Sequence, residues 1–320
     1  MRVLVTGGAG FIGSNLVDAL LARGHTVRVI DNFSSGQRHN LTAIEREIEL
    51  VEGDLRSYER VHHAVRGCDV VFHQGALPSV PRSVQDPITT SEINVGGTLN
   101  VLLNARDEGV RRIVFASSSS IYGNAPGLPR AEGAAPMPLA PYAVSKLAAE
   151  QYCRVFSTVY GLETVSLRYF NVFGRHQDPA SQYSAVIPRF ISAMRDGRPP
   201  TIYGNGEQSR DFTHVDNVVA ANLLAMDAAD APGGVYNIGC GTAHSLKELV
   251  ETLNRLLGTD IEPLYEASRP GDVDRSWADI SLATAAFGYV PTVDLEHGLR
   301  LTLAAFEERA RAEASTFGGE

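Results

Sequence analysis

Cysteine is scarce in this chain. Three occur in 320 residues, Cys68, Cys153 and Cys240. An odd set without Cys-x-x-Cys spacing excludes a disulfide framework and a cysteine-rich metal centre, and points to a reducing, cytoplasmic setting. Long apolar runs are also missing: none approaches the ~18 residues that a membrane-spanning helix needs. The start, MRVLVTGGAGFIG, turns to glycine too soon for a signal peptide and reads as a strand entering a loop. Positive charge is in deficit, 28 Lys and Arg against 37 Asp and Glu, for a net charge of −9. An acidic surface repels phosphate backbones and anionic membranes, so neither nucleic acid nor membrane is expected as a partner. A few arginines in a cleft can still hold an anionic small molecule. The histidines are scattered; His62 and His63 are adjacent and so leave a helix in different directions. No metal site is expected. Repeats and low-complexity tracts are absent.

What is present is enough apolar material, 44% of the residues, to bury a large core. Short β-branched runs at 2–6, 26–30, 48–52, 70–73, 113–117 and 164–169 alternate with helical patterns such as 11–23 and 92–108. This rhythm predicts an α/β fold: a Rossmann-type, doubly wound parallel sheet with helices on both faces. Beyond about Asn171 the rhythm breaks. Gly and Pro gather at 175–184, 197–206 and 263–271, with helices such as 246–257 between them. The expectation is a dinucleotide-binding domain over 1–170. A smaller α/β substrate-binding lobe follows over 171–320, with some segments returning to the first domain. The cleft between the two is the default site.

Two motifs carry chemistry. Thr6-Gly7-Gly8-Ala9-Gly10-Phe11-Ile12-Gly13 joins the first strand to the first helix. Gly7 suits the tight turn, Gly10 the close approach of a pyrophosphate, and Gly13 the helix–strand contact. The helix start then offers free N–H groups to the anion. The second strand ends at Asp31, 31 − 13 = 18 residues after the last glycine. A carboxylate there meets ribose hydroxyls and repels a 2′-phosphate, which favours NAD over NADP. The bland reading is a structural turn and a surface acid. The second motif is Tyr142-Ala143-Val144-Ser145-Lys146, with Tyr142 and Lys146 one helical turn apart. A nearby ammonium should pull the phenol, ordinarily near ~10, toward the working range, and an oxidised nicotinamide would act likewise. The strand before it ends in Ser117-Ser118-Ser119-Ser120, placing hydroxyls near that phenol. An exposed Tyr and Lys on a helix is the bland alternative. His214 reads as a structural hydrogen-bonding residue.

Together TGGAGFIG, the serine-rich strand end and YAVSK resemble the extended short-chain dehydrogenases, and within them the NAD-dependent epimerases and dehydratases acting on nucleotide sugars. The likeness runs from Met1 to about Ala286 and is strongest to the UDP-glucose/UDP-N-acetylglucosamine 4-epimerases. It implies cofactor contacts from Gly7, Gly10, Phe11, Ile12, Gly13, Ser34 and Gly36, with Asp31 and Asn32 holding the adenosine ribose. Asp54 and Leu55 would flank the adenine. Gln74, Gly75 and Ala76 would line the pyrophosphate side, with Asn94 bracing the strands beside it. Ser118 and Tyr142 would be catalytic, with Lys146 holding the nicotinamide ribose and the tyrosine. Tyr169, Phe170 and Asn171 would cover the nicotinamide and open the sugar-nucleotide pocket.

For the UDP-sugar, the resemblance implies Ser119, Ala185, Val186 and a uracil-stacking Tyr203. Arg210 and Arg269 would clamp the diphosphate, and Asp272 would lie near the nucleoside ribose. Forked guanidiniums suit such oxygens. Ser276 stands where epimerases confined to unacetylated sugars carry a bulky Tyr, which implies room for an N-acetyl group. The implied reaction is reversible 4-epimerisation through a 4-keto sugar. Dehydratases and UDP-glucuronate decarboxylases place an acid two residues before the YG tyrosine; here that position is Ser120, which counts against both. A UDP-glucuronate 4-epimerase stays open, since only contacts to C6 differ. An NAD-sensing binding module is the non-enzymatic alternative, and it would have no need of Ser118, Tyr142 and Lys146 together. The resemblance also implies a homodimer, formed by the helices after Glu92 and after Tyr142.

Overall fold

The computed structural model describes residues 1–178, 185–268 and 274–317, the last few without their side chains. Six strands fall where the β-branched runs predict them, within a residue or two at each end: β1 (Arg2–Thr6), β2 (Thr26–Asp31), β3 (Ile48–Glu52), β4 (Val70–His73), β5 (Arg112–Ser118) and β6 (Glu163–Tyr169). Val3, Leu4, Val5, Val70, Val71 and Phe72 are fully buried. Near-continuous apolar runs of this kind belong to strands covered on both faces. Each such Val or Leu contributes roughly 1.5–3 kcal/mol relative to an exposed one.

A seventh strand, Val235–Ile238, comes from the glycine-rich half and pairs with β6. The sheet order is Val235–Ile238, β6, β5, β4, β1, β2, β3, with every neighbour parallel. The direction of winding reverses between β1 and β4, which opens a crevice at the strands' carboxyl ends. One face is covered by α1 (Phe11–Ala22) and by Val215–Asp227, through Leu16, Leu20, Val218 and Ala221. The other face carries Tyr58–Val65, Gly97–Asp107 and Pro141–Tyr160, through Val61, Leu102 and Phe156. The sheet is thus doubly wound. The helix expected over 92–108 is α-helical only from Gly97; its first turn, Glu92–Gly96, is a π-helix.

Two buried arginines interrupt the apolar strands for one reason. Arg28 on β2 donates to the carbonyls of Ala64 and Arg66, at the end of Tyr58–Val65. Arg112 on β5 does the same at Ala225 and Ala228, at the end of Val215–Asp227. Each guanidinium satisfies carbonyls that the helix itself leaves unpaired and places positive charge at the negative end of the dipole.

The second lobe has its own apolar centre, built by Ile187, Phe190, Ile191, Phe212, Leu249, Leu253 and Leu299. Its helices include Val186–Arg195 and Leu246–Leu257; the latter starts with a capping box between Ser245 and Glu248. Its strands are short. Ser209–Arg210 lies between His244–Ser245 and Arg275–Ser276, and Thr201–Tyr203 pairs with Leu264–Glu266. No described helix is long and apolar enough to cross a membrane.

Candidate active site

A cleft of about 940 Å³ opens at the carboxyl ends of β1 and β4 and runs between the lobes. Its floor at one end is the glycine loop. Gly7 has φ +67°, and a Cβ there would fall 2.7 Å from the Cα of Gly75. A Cβ on Gly13 would fall 2.1 Å from the Gly7 carbonyl oxygen. Gly10 caps α1 without any side-chain bond, so the first-turn N–H groups face the cleft unclaimed by a cap. Asp31 is 8% exposed. It accepts from the backbone N–H of Ala9 at 2.9 Å and of Phe33 at 2.8 Å. Burial pushes its carboxyl above the ordinary value, and the bonds to backbone N–H groups oppose this. Asp54, bonded by Arg56 and Asn32, is held down at about 2. Ser34, Gly36, Leu55, Gln74 and Ala76 line this end as well.

At the other end Ser118 terminates β5, and Pro141 sits in the first turn of the helix that carries Tyr142. Proline fits there because the position needs no N–H. The backbone N–H of Tyr142 donates to Ser83 Oγ at 3.0 Å, which fixes the helix start. Tyr142 and Ser118 line this end together, and the Ser118 side chain acts to lower the phenol. Burial nevertheless dominates and pushes the phenol above its ordinary value. The pull expected from Lys146 is not what sets it. The Lys146 ammonium donates to the Ala116 carbonyl at 2.8 Å and lies 5.0 Å from the Phe115 ring centroid. Desolvation lowers this lysine to about 8. Spacing put the two residues on one face; burial, which spacing does not report, decides their protonation.

The second lobe closes the cleft with Ala185, Arg210 and Ser276. Ser276 stands opposite Arg210 in the register of their paired strands. Asn171 adopts φ +31°, a strained value for a side-chain-bearing residue, at the point where the chain leaves β6. It also lines a side cavity of about 470 Å³, together with Val186, Tyr203 and Arg210.

Residues 3–239 match the NAD dependent epimerase/dehydratase family. The chain belongs to that family. It is 38% identical over 302 residues to a putative UDP-glucose 4-epimerase of Methanocaldococcus jannaschii, which covers 93% of this chain and 96% of the relative. It superposes on the UDP-glucose 4-epimerase of Thermotoga maritima, solved with UDP-glucose, with a TM-score of 0.92, 38% identity, and 97% and 100% of the two chains covered. The UDP-N-acetylglucosamine 4-epimerase of Methanobrevibacter ruminantium M1, solved with UDP-N-acetylmuramic acid, gives 0.92 and 39%, with 96% and 98% covered. NAD is the family's cofactor. The cradle fits it on structural grounds: two glycine positions leave no room for a side chain, a helix start is free, and an acid stands where a 2′-phosphate would meet it.

Within this family member, most residues singled out from the sequence meet at the cleft or its side cavity, but not all. Phe170 is fully buried and turned away, packed with Ile121, Tyr122 and Ala278. Asn94 is 2% exposed and lines neither cavity. It braces a loop and a helix, accepting from Leu77 N–H at 2.8 Å and donating to Ser145 Oγ at 3.0 Å. Arg269 and Asp272 lie outside the described residues. The sequence reading missed Ser79, Arg82 and Gln177, which line the cleft. It also missed Asn222, which bonds Tyr169 and Gln74 beneath it and lies 53 and 148 residues from them along the chain. A serine two residues before a proline, Ser79 as the cap of Val80–Gln85 accepting from the Arg82 N–H, was the one local signal available for the first of these.

Proposed function

We propose that this enzyme reversibly inverts C4 of a UDP-hexose, acting on UDP-glucose/UDP-galactose and also on UDP-N-acetylglucosamine/UDP-N-acetylgalactosamine. The observation that carries the reading is that Ser118, Tyr142 and Lys146 line one end of a cleft whose other end is a dinucleotide cradle. Tyr142 removes the proton from the sugar 4-hydroxyl and returns one after inversion. Ser118 steadies the oxygen during both transfers. Lys146 holds the nicotinamide ribose and keeps the helix register. Bound NAD supplies the hydride acceptor and donor and, when oxidised, a positive charge that favours the phenolate. Arg210 clamps the diphosphate with Arg269, and Tyr203 stacks on the uracil. The clamp holds the nucleotide while the 4-keto sugar turns over.

The strand end supports epimerisation over elimination. Ser119 and Ser120 line the cleft beside Ser118, and the acids among the described lining residues are Asp31, Asp54 and Asp178. None lies on the serine edge to act on C5 or C6. Ser276 leaves volume beside C2, which supports the N-acetylated substrates. Arg82 also lines the cleft, a cation that suits a hexuronate carboxylate, so UDP-glucuronate is the second substrate to try. We place two protomers together through Gly97–Asp107 and Pro141–Tyr160, where Val144, Val155 and Val159 are exposed.

The test is NMR of UDP-galactose and UDP-N-acetylgalactosamine, each incubated with purified enzyme and no added NAD. Appearance of the matching gluco sugar alone supports the proposal. Failure of both, even with NAD added, overturns it and moves the question to UDP-glucuronate.

A further inference from the structure

His73 ends β4 behind the glycine loop. It is 1% exposed and touches neither cavity. Its two ring nitrogens meet two threonines from opposite sides, Thr6 Oγ1 at 2.7 Å from Nδ1 and Thr98 Oγ1 at 2.9 Å from Nε2. The other bonds of these hydroxyls fix the direction of each contact. The Thr98 hydroxyl gives its one hydrogen to the Asn94 carbonyl at 2.6 Å, so it accepts from His73, and Nε2 carries the proton. Thr6 Oγ1 accepts the Gly75 N–H at 3.0 Å and has its own hydrogen left for Nδ1. Every donor and acceptor is matched in one form only, the neutral Nε2–H imidazole.

The relay continues at both ends. Gly75 is the residue whose backbone nearly touches Gly7, so its position sets the phosphate turn. On the other side Asn94 donates to Ser145 Oγ, and Ser145 Oγ donates to the Tyr142 carbonyl at 2.8 Å. The π-helical turn Glu92–Gly96 is what brings Asn94 between the loop and the helix.

We propose that His73 is a positioning residue: a neutral imidazole locked in the Nε2–H tautomer that ties the phosphate cradle to the helix carrying Tyr142. NAD retention and proton transfer then both depend on a side chain that touches neither ligand. The kinetic half of this rests on Tyr142 acting as proposed above; the tautomer and the NAD half do not. Burial supports the neutral form, and the Lys146 ammonium nearby opposes a second cation; together they hold the ring far below its usual value, at about 3. Around the ring stand Thr6, Thr98, Lys146 and Phe115, whose ring centroid is 5.6 Å away. None is an acid that would favour the imidazolium.

Two measurements test it. The first is 15N NMR of imidazole-labelled holoenzyme. One histidine should show the Nε2–H tautomer unchanged from pH 5 to pH 8, and its signal should vanish in His73→Gln. A His73 that titrates in that range, or that carries its proton on Nδ1, overturns the proposal. The second compares Thr98→Val with Thr98→Ser at matched melting temperature. Loss of one hydrogen bond in the relay should speed NAD release from the holoenzyme about tenfold in Thr98→Val. It should also lower kcat by a similar factor with KM for the UDP-sugar unchanged, and Thr98→Ser should restore both. NAD release within twofold of the wild type in Thr98→Val overturns the coupling. If the kinetic arm shows no turnover at all while NAD release follows this pattern, the reaction assignment fails and the positioning role stands.

Discussion

Arg168 grips Glu150 with two parallel bonds, Nη2 to Oε1 at 2.6 Å and Nε to Oε2 at 2.9 Å, and Glu150 is wholly buried. Ser117 donates to the same Oε2 at 2.6 Å. Glu150 rides on the helix of Tyr142 and Lys146, whereas Ser117 immediately precedes Ser118 on β5. The pair therefore fixes that helix against the strand end that carries the serine. Taking two charges out of water is costly, and removing one partner leaves the other buried and unpaired. Glu150→Gln should destabilise the fold by about 3–5 kcal/mol in urea titrations. Glu150→Leu combined with Arg168→Met should recover most of that loss. A loss under about 1 kcal/mol in Glu150→Gln would show that the ion pair does not hold this junction.

Lys146 is destabilising where it stands. Its pKa falls from 10.5 in the unfolded chain to about 8 in the fold. The folded state therefore resists the proton more than the unfolded state does. The penalty is full below about pH 8, and it is relieved as pH rises from there toward 10.5. Lys146→Met keeps the length of the side chain and removes the charge. It should raise the melting temperature of NAD-free protein at pH 7 by several degrees, on the order of 2 kcal/mol, while abolishing turnover. The gain should shrink at pH 9.5. An equal or larger gain at pH 9.5 would mean that desolvation of the ammonium is not the cause.

The framework of the fold was legible because its signals are local. Six strands buried on both faces leave unbroken β-branched runs, and the glycines at 7 and 13 answer steric demands that no other residue meets. The seventh strand escaped notice because four residues between Gly234 and Gly239 carry no periodicity, and their partner lies some seventy residues away. Phe170 was misplaced by treating consecutive residues as one surface. On extended chain Tyr169 and Phe170 point to opposite sides, so only the first can face the cleft. The roles of Asn94 and His73 depend on partners 17 to 67 residues away in the chain, and on a π-turn that a helical pattern does not reveal.

Tyr142→Phe separates catalysis from binding. The substitution removes one hydroxyl from a half-buried side chain at the cleft wall and keeps the ring, so the fold and NAD retention should stay close to wild type. Proton transfer loses its agent, and general acid–base catalysis contributes about 10²–10⁴ in rate. Turnover should fall by that factor, with KM changed little. Sensing of NAD without chemistry predicts the reverse, no functional change on loss of the hydroxyl. Bound NAD quantified after gel filtration, together with the NMR assay, distinguishes the two.

On the proposed reading, Ser276 sets how much sugar the pocket admits beside C2. It lines the cleft on the strand paired with Ser209–Arg210, so a larger side chain there projects from rigid backbone and cannot swing aside with a loop. Ser276→Tyr should lower kcat/KM for UDP-N-acetylgalactosamine by about 10–200-fold, the range in which a pocket discriminates a small apolar group. UDP-galactose, with a hydroxyl in place of the acetamide, should stay within about threefold of wild type. The ratio of the two rates is the useful quantity, because misfolding or loss of NAD would lower both together. An unchanged ratio would place the N-acetyl group elsewhere, and selectivity would then have to come from other cleft-lining residues such as Ser79 and Ala185.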